Sequence, residues 1–238
     1  MKRTLAALVV WGCIVLPAAA GPTGTITVNY LGSGAAPYRA VSLYADSDGV
    51  YPPYEIAYSS GIVAGYYKHD VSAATGSGDY IADPMLGFCI DLLQAPSTQS
   101  VTYNVVPLTE APAPTFTGTP ITAAKADLLR ELWGRHYSPT MTSYQAAQFQ
   151  LAVWEIVFET SGVYNISNGS LRSYDYNHGT NWFLNSLDGT GPLASLVALT
   201  HPQYQDMITQ AVVPAPGAVS LGTLGAIIIG WLRSRKRL

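Results

Sequence analysis

The two ends of this 238-residue chain confine what it can fold into to the stretch between them. Met1-Lys2-Arg3 makes a short positive start, and an apolar run from Leu5 to Pro17 closes on Ala18-Ala19-Ala20, with Gly21 next. A positive n-region, a short apolar stretch and an A-x-A site form the pattern of a secretory signal peptide, so cleavage is expected after Ala20. The run is too short to span a bilayer comfortably. Cys13 makes a poor lipobox, because the bulky Trp11 stands where a small residue belongs and more apolar chain follows. At the other end, Ala218 to Leu232 carries no charge. Counted from Ala211 the uncharged stretch is about 22 residues, enough for a tilted transmembrane helix. Arg233, Arg235, Lys236 and Arg237 follow at once and are expected to stay cytoplasmic. The segment left to fold as a globular domain is residues 21–210, about 190 residues, long enough to bury a real core.

The C-terminal segment, residues 211–238, has three parts: Val213-Pro214-Ala215-Pro216-Gly217, the apolar run 218–232 and the basic tail 233–238. Together they resemble a PEP-CTERM sorting tail, with Ala215 where the pattern has glutamate. The resemblance implies processing by an exosortase-type membrane protease in a Gram-negative-type envelope. It also implies display at the cell surface or in an extracellular, exopolysaccharide-containing matrix, with transient anchoring in the membrane through the C-terminal helix.

Six of the twelve Lys and Arg residues (Lys2, Arg3, Arg233, Arg235, Lys236 and Arg237) sit in the terminal segments. The exported part is therefore acidic, which argues against nucleic acid as a partner. Two cysteines are present, and Cys13 leaves with the signal peptide, so the exported domain carries Cys89 alone. An odd cysteine outside the cell calls for an explanation. It is an inert buried thiol, half of an intermolecular disulfide, a nucleophile, or one end of a crosslink to a residue other than cysteine.

Alternating apolar and polar residues predict strands at 25–31, 41–44, 61–67, 86–93 and 101–106. Residues 51–58 and 111–120 are Pro-rich and read as loops. The character then changes. Helical spacing predicts α-helices at 122–137 and 142–158, each opened by a threonine able to cap it. Residues 165–181 read as a polar loop, and two further helices are expected near 180–187 and 192–210. Strands first and helices later predict an α+β fold: a β-sandwich or barrel-like core with an inserted or following helical subdomain, besides the C-terminal transmembrane helix.

On the 142–158 helix, 100° steps place Gln145, Gln148, Ala152, Glu155 and Glu159 on a polar face, with Ala146, Ala147, Val153, Trp154 and Val157 opposite. Gln150 falls in the middle of the apolar arc, one turn before Trp154. A carboxamide buried there needs hydrogen-bond partners or loses about 1–3 kcal/mol. The plain reading is a satisfied structural glutamine. A single bond would account for both anomalies: an internal thioester between the Cys89 sulfur and the Gln150 acyl carbon, kept from water by neighbours such as Phe149 and Trp154.

Phe88-Cys89-Ile90-Asp91 is similar to the aromatic-Cys-aliphatic-Asp strand of bacterial surface thioester domains, and Phe149-Gln150-Leu151-Ala152-Val153-Trp154 is similar to their Gln-x-Ala-aliphatic-Trp helix. Phe149 stands where those domains often have Thr or Ser. The resemblance implies that Cys89 is the sulfur side and Gln150 the acyl side of an adhesive bond to amine- or hydroxyl-bearing surface ligands, with no enzymatic turnover and no cofactor. Asp91, two residues beyond Cys89 and expected on the same strand face, is a candidate to position the bond.

Other patterns carry less. Asp46-Ser47-Asp48-Gly49 opens like a calcium loop but lacks the later ligands. His69, His136, His178 and His201 show no metal-site spacing. Two further functions remain open: a non-reactive structural protein of the surface or matrix, and a hydrolase pairing Cys89 with a histidine such as His136.

Overall fold

A computed structural model describes residues 24–32, 38–45, 57–113 and 120–212. The proposed signal peptide, the Asp46–Asp48 loop, the sorting motif Val213–Gly217 and the expected transmembrane run lie outside the described residues. Among the described residues no helix is long and apolar enough to cross a membrane.

The fold mixes a closed antiparallel barrel, a small second sheet and three helices. Strands β1 (Gly24–Tyr30), β2 (Tyr38–Ala45), β3 (Ala57–Gly65), β4 (Tyr67–Thr75), β5 (Met85–Cys89) and β6 (Val101–Pro107) come first. Helices α1 (Ala123–His136) and α2 (Ser143–Phe158), strand β7 (Leu171–Arg172), helix α3 (Asn177–Asn185) and strands β8 (Leu196–Thr200) and β9 (Met207–Gln210) follow. The barrel runs β1-β4-β5-β9-β8-β6 and closes by pairing β6 with β1, while β3-β2-β7 forms the second sheet. The helices are thus inserted between β6, the fourth barrel strand in chain order, and the last two, β8 and β9.

Period-two alternation fills the barrel. Ile26 and Val28 of β1, Met85 of β5, Tyr103 and Val105 of β6, Leu199 of β8 and Met207 of β9 form one buried cluster. A second and larger core lies outside the barrel. There Phe88, Ala198 and Ile208 meet Val41, Leu43 and Ala64 of the small sheet, together with the helices.

The expected helix starts hold. Thr122 caps α1, its side chain accepting from Lys125 N–H, and Thr142 with Gln145 forms a full capping box on α2. The expectation of a polar face on α2 does not hold. Gln148, Glu155 and Glu159 are as buried as the apolar face, because α3 and the segment after α2 cover that side. Small residues (Ala146, Ala147 and Ala152) let neighbours approach closely all round.

Four further expectations are corrected. The strand read at 61–67 spans two, since the chain leaves the small sheet at Gly65 and joins the barrel at Tyr67. The strand read at 86–93 stops at Cys89, so Asp91 does not share a strand face with it. The 165–181 loop contains β7 and the start of α3. The helix expected at 192–210 is the hairpin β8–β9, whose register Leu196↔Gln210 to Leu199↔Met207 completes the barrel. Closing the sheet removes the open edges of β5 and β6, a tertiary gain that outweighs weak local helix propensity.

Gly134 shows how tightly the inserted helices dock. It sits inside α1, where alanine is intrinsically favoured by about 1 kcal/mol. Here a Cβ would run into the carbonyl oxygen of Pro192. Gly134→Ala is therefore expected to destabilise by about 1–3 kcal/mol, as overpacking does. A urea midpoint equal to or above that of the unsubstituted protein would contradict this packing.

Candidate functional site

The barrel and the helices meet at Cys89. Strand β4 pairs with β5 only as far as Tyr67↔Gly87, because before Tyr67 the chain belongs to the other sheet. Cys89, two residues beyond Gly87, thus has no β4 partner for its main chain. The Gln150 side chain takes that place. Cys89 N–H donates to Gln150 Oε1 at 2.9 Å, and Gln150 Nε2 donates to the Cys89 carbonyl at 2.9 Å. The two residues singled out in the sequence, 61 positions apart, are therefore in direct contact. Both are fully buried, and the carboxamide is satisfied at both ends.

The sulfur points back along the chain. Cys89 Sγ–H donates to the Asp91 carbonyl at 3.0 Å. Beyond Cys89 one more ladder bond forms, from Ile90 N–H to the Asp206 carbonyl, and then Asp91 Oδ1 accepts from Leu93 N–H at 2.9 Å and turns the chain away. Asp91 thus meets the thiol through its main chain, not through its carboxylate. Its carbonyl also accepts from Gln205 Nε2, which donates to the Gln94 carbonyl as well.

Aromatic rings exclude water on the helix side. Phe149 packs on Phe88 with centroids 4.6 Å apart, and Trp133, Tyr137 and Tyr66 surround Phe88. Trp154 is buried one turn beyond Gln150. Its indole N–H has no hydrogen-bond partner of good geometry, yet it lies near enough to the sulfur to favour the thiolate. Burial nevertheless dominates and pushes the Cys89 thiol up to about 12, with Asp91 and Asp206 adding to the rise and Trp154 and the Asp91 carbonyl opposing it. The thiol is protonated at neutral pH. Tyr67, also buried, is raised well above the ordinary phenol range, first by desolvation and then by Cys89.

In chemical terms, the residue that carries the sulfur also holds the carboxamide. Its N–H polarises the Gln150 carbonyl and is placed to stabilise negative charge on Oε1, as an oxyanion donor does. Tyr67, Gln205 and Asp206 were not foreseen, because Gln205 and Asp206 fall where a helix was expected and Tyr67 at the end of a weak strand.

His136 does not partner the cysteine. Its Nε2 lies 2.6 Å from Ser186 Oγ and its ring against Trp182 and Phe183. That contradicts a pairing of Cys89 with His136. Among the described residues no three His, Cys, Asp or Glu side chains converge as a metal site. Compared with known family models, curated proteins and solved structures, the chain has no match.

The far end of the Gln150 helix carries the strongest electrostatic tension. Glu155 Oε1 accepts from Asn165 N–H at 2.7 Å, while its Oε2 is buried without a partner. Burial raises this carboxyl from 4.5 to about 8; Glu159 adds to the rise, while Asn165 N–H and Lys125 oppose it. The folded state therefore holds a proton that the unfolded state has released between pH 4.5 and about 8. Stability from this group is present at low pH and lost as pH rises through that window. Glu155→Gln is expected to flatten that decline, seen as urea midpoints converging from pH 5 to pH 9. A wild-type decline matched by the variant would place the titration elsewhere.

Proposed function

We propose that this chain is an exported surface protein whose domain forms an internal Cys89–Gln150 thioester and captures amine- or hydroxyl-bearing partners covalently. The observation that carries the reading is the reciprocal pair of hydrogen bonds between the Gln150 carboxamide and the Cys89 main chain, in a site closed to water.

The chemistry balances. The sulfur adds to the Gln150 acyl carbon, the C–N bond breaks, and the thiol proton leaves with the nitrogen as ammonia. A partner amine then attacks the acyl carbon, an amide forms, and its displaced proton returns to sulfur; a hydroxyl gives an ester instead. Each molecule reacts once, so the role is adhesion and not turnover. With the thiol held at about 12, the proton has to move in the same step as sulfur attack.

The second reading is a non-reactive structural protein of the surface or matrix. It is favoured by the same two hydrogen bonds, which satisfy Gln150 without a covalent bond. Intact mass separates the two readings. The exported protein is expected to be lighter than its sequence by one ammonia, and Cys89→Ala and Gln150→Ala should each restore the full mass. Methylamine should add at Gln150 and release a titratable Cys89 thiol. Full mass in the untreated protein, with one thiol detectable after denaturation, leaves the structural reading.

Export and sorting belong to the same proposal. The mature chain is expected to begin at Gly21 and, in a host with an exosortase-type protease, to lack Trp231 and the basic tail after processing near Pro214. N-terminal sequencing that starts at Met1, or a released form that retains the tail, contradicts it. The membrane is then a transient partner, and the lasting one a surface ligand or exopolysaccharide matrix.

A further inference from the structure

Asn168-Gly169, in the segment between α2 and β7, is the chain's one Asn-Gly pair. The fold demands the glycine: its φ is +134°, and a Cβ there would run into Glu159 Oε2. The same bare α-carbon leaves the Gly169 main-chain nitrogen unscreened beside the preceding side chain. Asn168 is exposed, and its own N–H donates to the Asn165 carbonyl at 2.8 Å, closing a turn. Its carboxamide makes no hydrogen bond to the described residues, and neither does the Gly169 N–H. An electrophilic carbon and the nitrogen next along the chain are thus both unengaged, in a turn open to water.

Neighbouring sites with the same chemistry are held. Asn165 Oδ1 accepts from Ser167 N–H and from Asn181 Nδ2, and the next nitrogen, Ile166 N–H, donates to Asn181 Oδ1 at 3.0 Å. Asp188-Gly189 also has a glycine after the acid, but Gly189 N–H donates to Glu131 Oε2 at 2.9 Å. Asp188 Oδ1 in turn accepts from Arg135 and from Thr190. At both places ring closure between side chain and main chain would first break hydrogen bonds that help hold the fold. At Asn168 it breaks none.

We infer that Asn168 is a site of spontaneous covalent modification, at which the Gly169 nitrogen displaces the side-chain amide and water converts the residue to aspartate and isoaspartate. The Gly169 nitrogen bonds to Asn168 Cγ, the bond from Cγ to Nδ2 breaks, and the Gly169 amide proton leaves with Nδ2 as ammonia. Water then opens the cyclic imide. Attack at Cγ gives aspartate; attack at the Asn168 main-chain carbonyl carbon gives isoaspartate. Either product sets a negative charge one residue from the glycine that packs on Glu159 and Glu155. Isoaspartate also lengthens the main chain by one carbon, next to the Ser170 N–H that donates to Glu159 Oε2 at 3.0 Å. The segment that Glu159 fastens to α2 is expected to loosen with age. The reaction is independent of the proposed thioester. The imide lacks one ammonia, as the thioester does, but it leaves Cys89 a free thiol and lies in a different stretch of chain.

The test incubates the full-length chain and its Cys89→Ala variant at mildly alkaline pH in water enriched in oxygen-18, beside a synthetic peptide of residues 165–172. Tandem mass spectrometry of fragments covering residues 160–172 locates the label, and enzymatic methylation of isoaspartate identifies the product. Both chains are expected to take up oxygen-18 at residue 168 and to form isoaspartate there, since Cys89→Ala removes only the thioester. The folded chains should convert within about tenfold of the peptide's rate, as a turn that opens easily allows. Asn165 and Asp188 should stay unchanged over the same period, and the Ser170 amide should exchange faster in converted than in unconverted chains. Asn168→Ser, which removes the reacting amide at an exposed position, should abolish the signal. Folded chains left unconverted at Asn168 when the peptide has converted, equal conversion at Asn165, or a signal that survives Asn168→Ser overturns the assignment.

Discussion

The rest of the structure hangs on one substitution of a side chain for a strand. Strand β4 leaves β5 at Tyr67↔Gly87 because the preceding residues belong to the second sheet. A main-chain N–H and C=O in the protein interior would then be orphaned at Cys89, each costing free energy comparable to a lost hydrogen bond. The Gln150 carboxamide, itself a planar donor–acceptor pair like a peptide group, fills both positions at 2.9 Å. The helix is thereby keyed to the barrel at one register, and a one-residue slip of α2 would move Gln150 by 100° and unpair four polar groups. This accounts for a glutamine on the most apolar arc of the helix without any appeal to chemistry.

That anchoring sets what else α2 has to do. It lies between the barrel, the small sheet and α3, so its expected solvent face is covered. The polar residues there become internal fasteners. Glu159 accepts from Thr160, Ser161 and Ser170 N–H, and Glu155 from Asn165 N–H, so two carboxylates hold the segment that leads from α2 to β7. Lys125 reaches from α1 to the Val157 carbonyl at 2.7 Å, serving the open carbonyls of the last turn. Glu155, raised to about 8 by burial, is the part of this arrangement that charge makes expensive.

The local signals were readable where one element determines itself. Thr122 and Thr142 marked both long helices, and alternation marked β1 and β6. Reading failed where pairing across the fold decides. Residues 196–200 and 207–210 are short apolar runs that fit a helix as well as a strand, and only the open edges of β5 and β6 select the hairpin. The polar face of α2 was invisible as a core for a like reason, since the segment that buries it has no periodicity of its own. Cys89 and Gln150 were legible because each breaks a rule locally, one as the lone thiol of a domain expected to be exported and the other as an amide among apolar neighbours. Asp206 breaks no local rule, and it comes beside the Cys89 turn only once β8 and β9 turn back on the barrel.

The Cys89–Gln150 contact has a structural role, and the proposed reactive one would use the same atoms, so the hydrogen bonds between them do not tell the roles apart. Trp154 bears on the difference. Its indole N–H is buried without a formed hydrogen bond, an arrangement that costs about 1–3 kcal/mol. A phenylalanine would fill much of that space without the penalty, so a purely structural site gains nothing from the nitrogen. The indole lies near the Cys89 sulfur on the side where it would favour the charged form, against a burial effect that dominates. Negative charge reaches that sulfur only when a bond to it is forming or breaking. In the proposed thioester chemistry a donor with no partner in the resting state would gain one in the transition state, which is the arrangement that differential stabilisation requires.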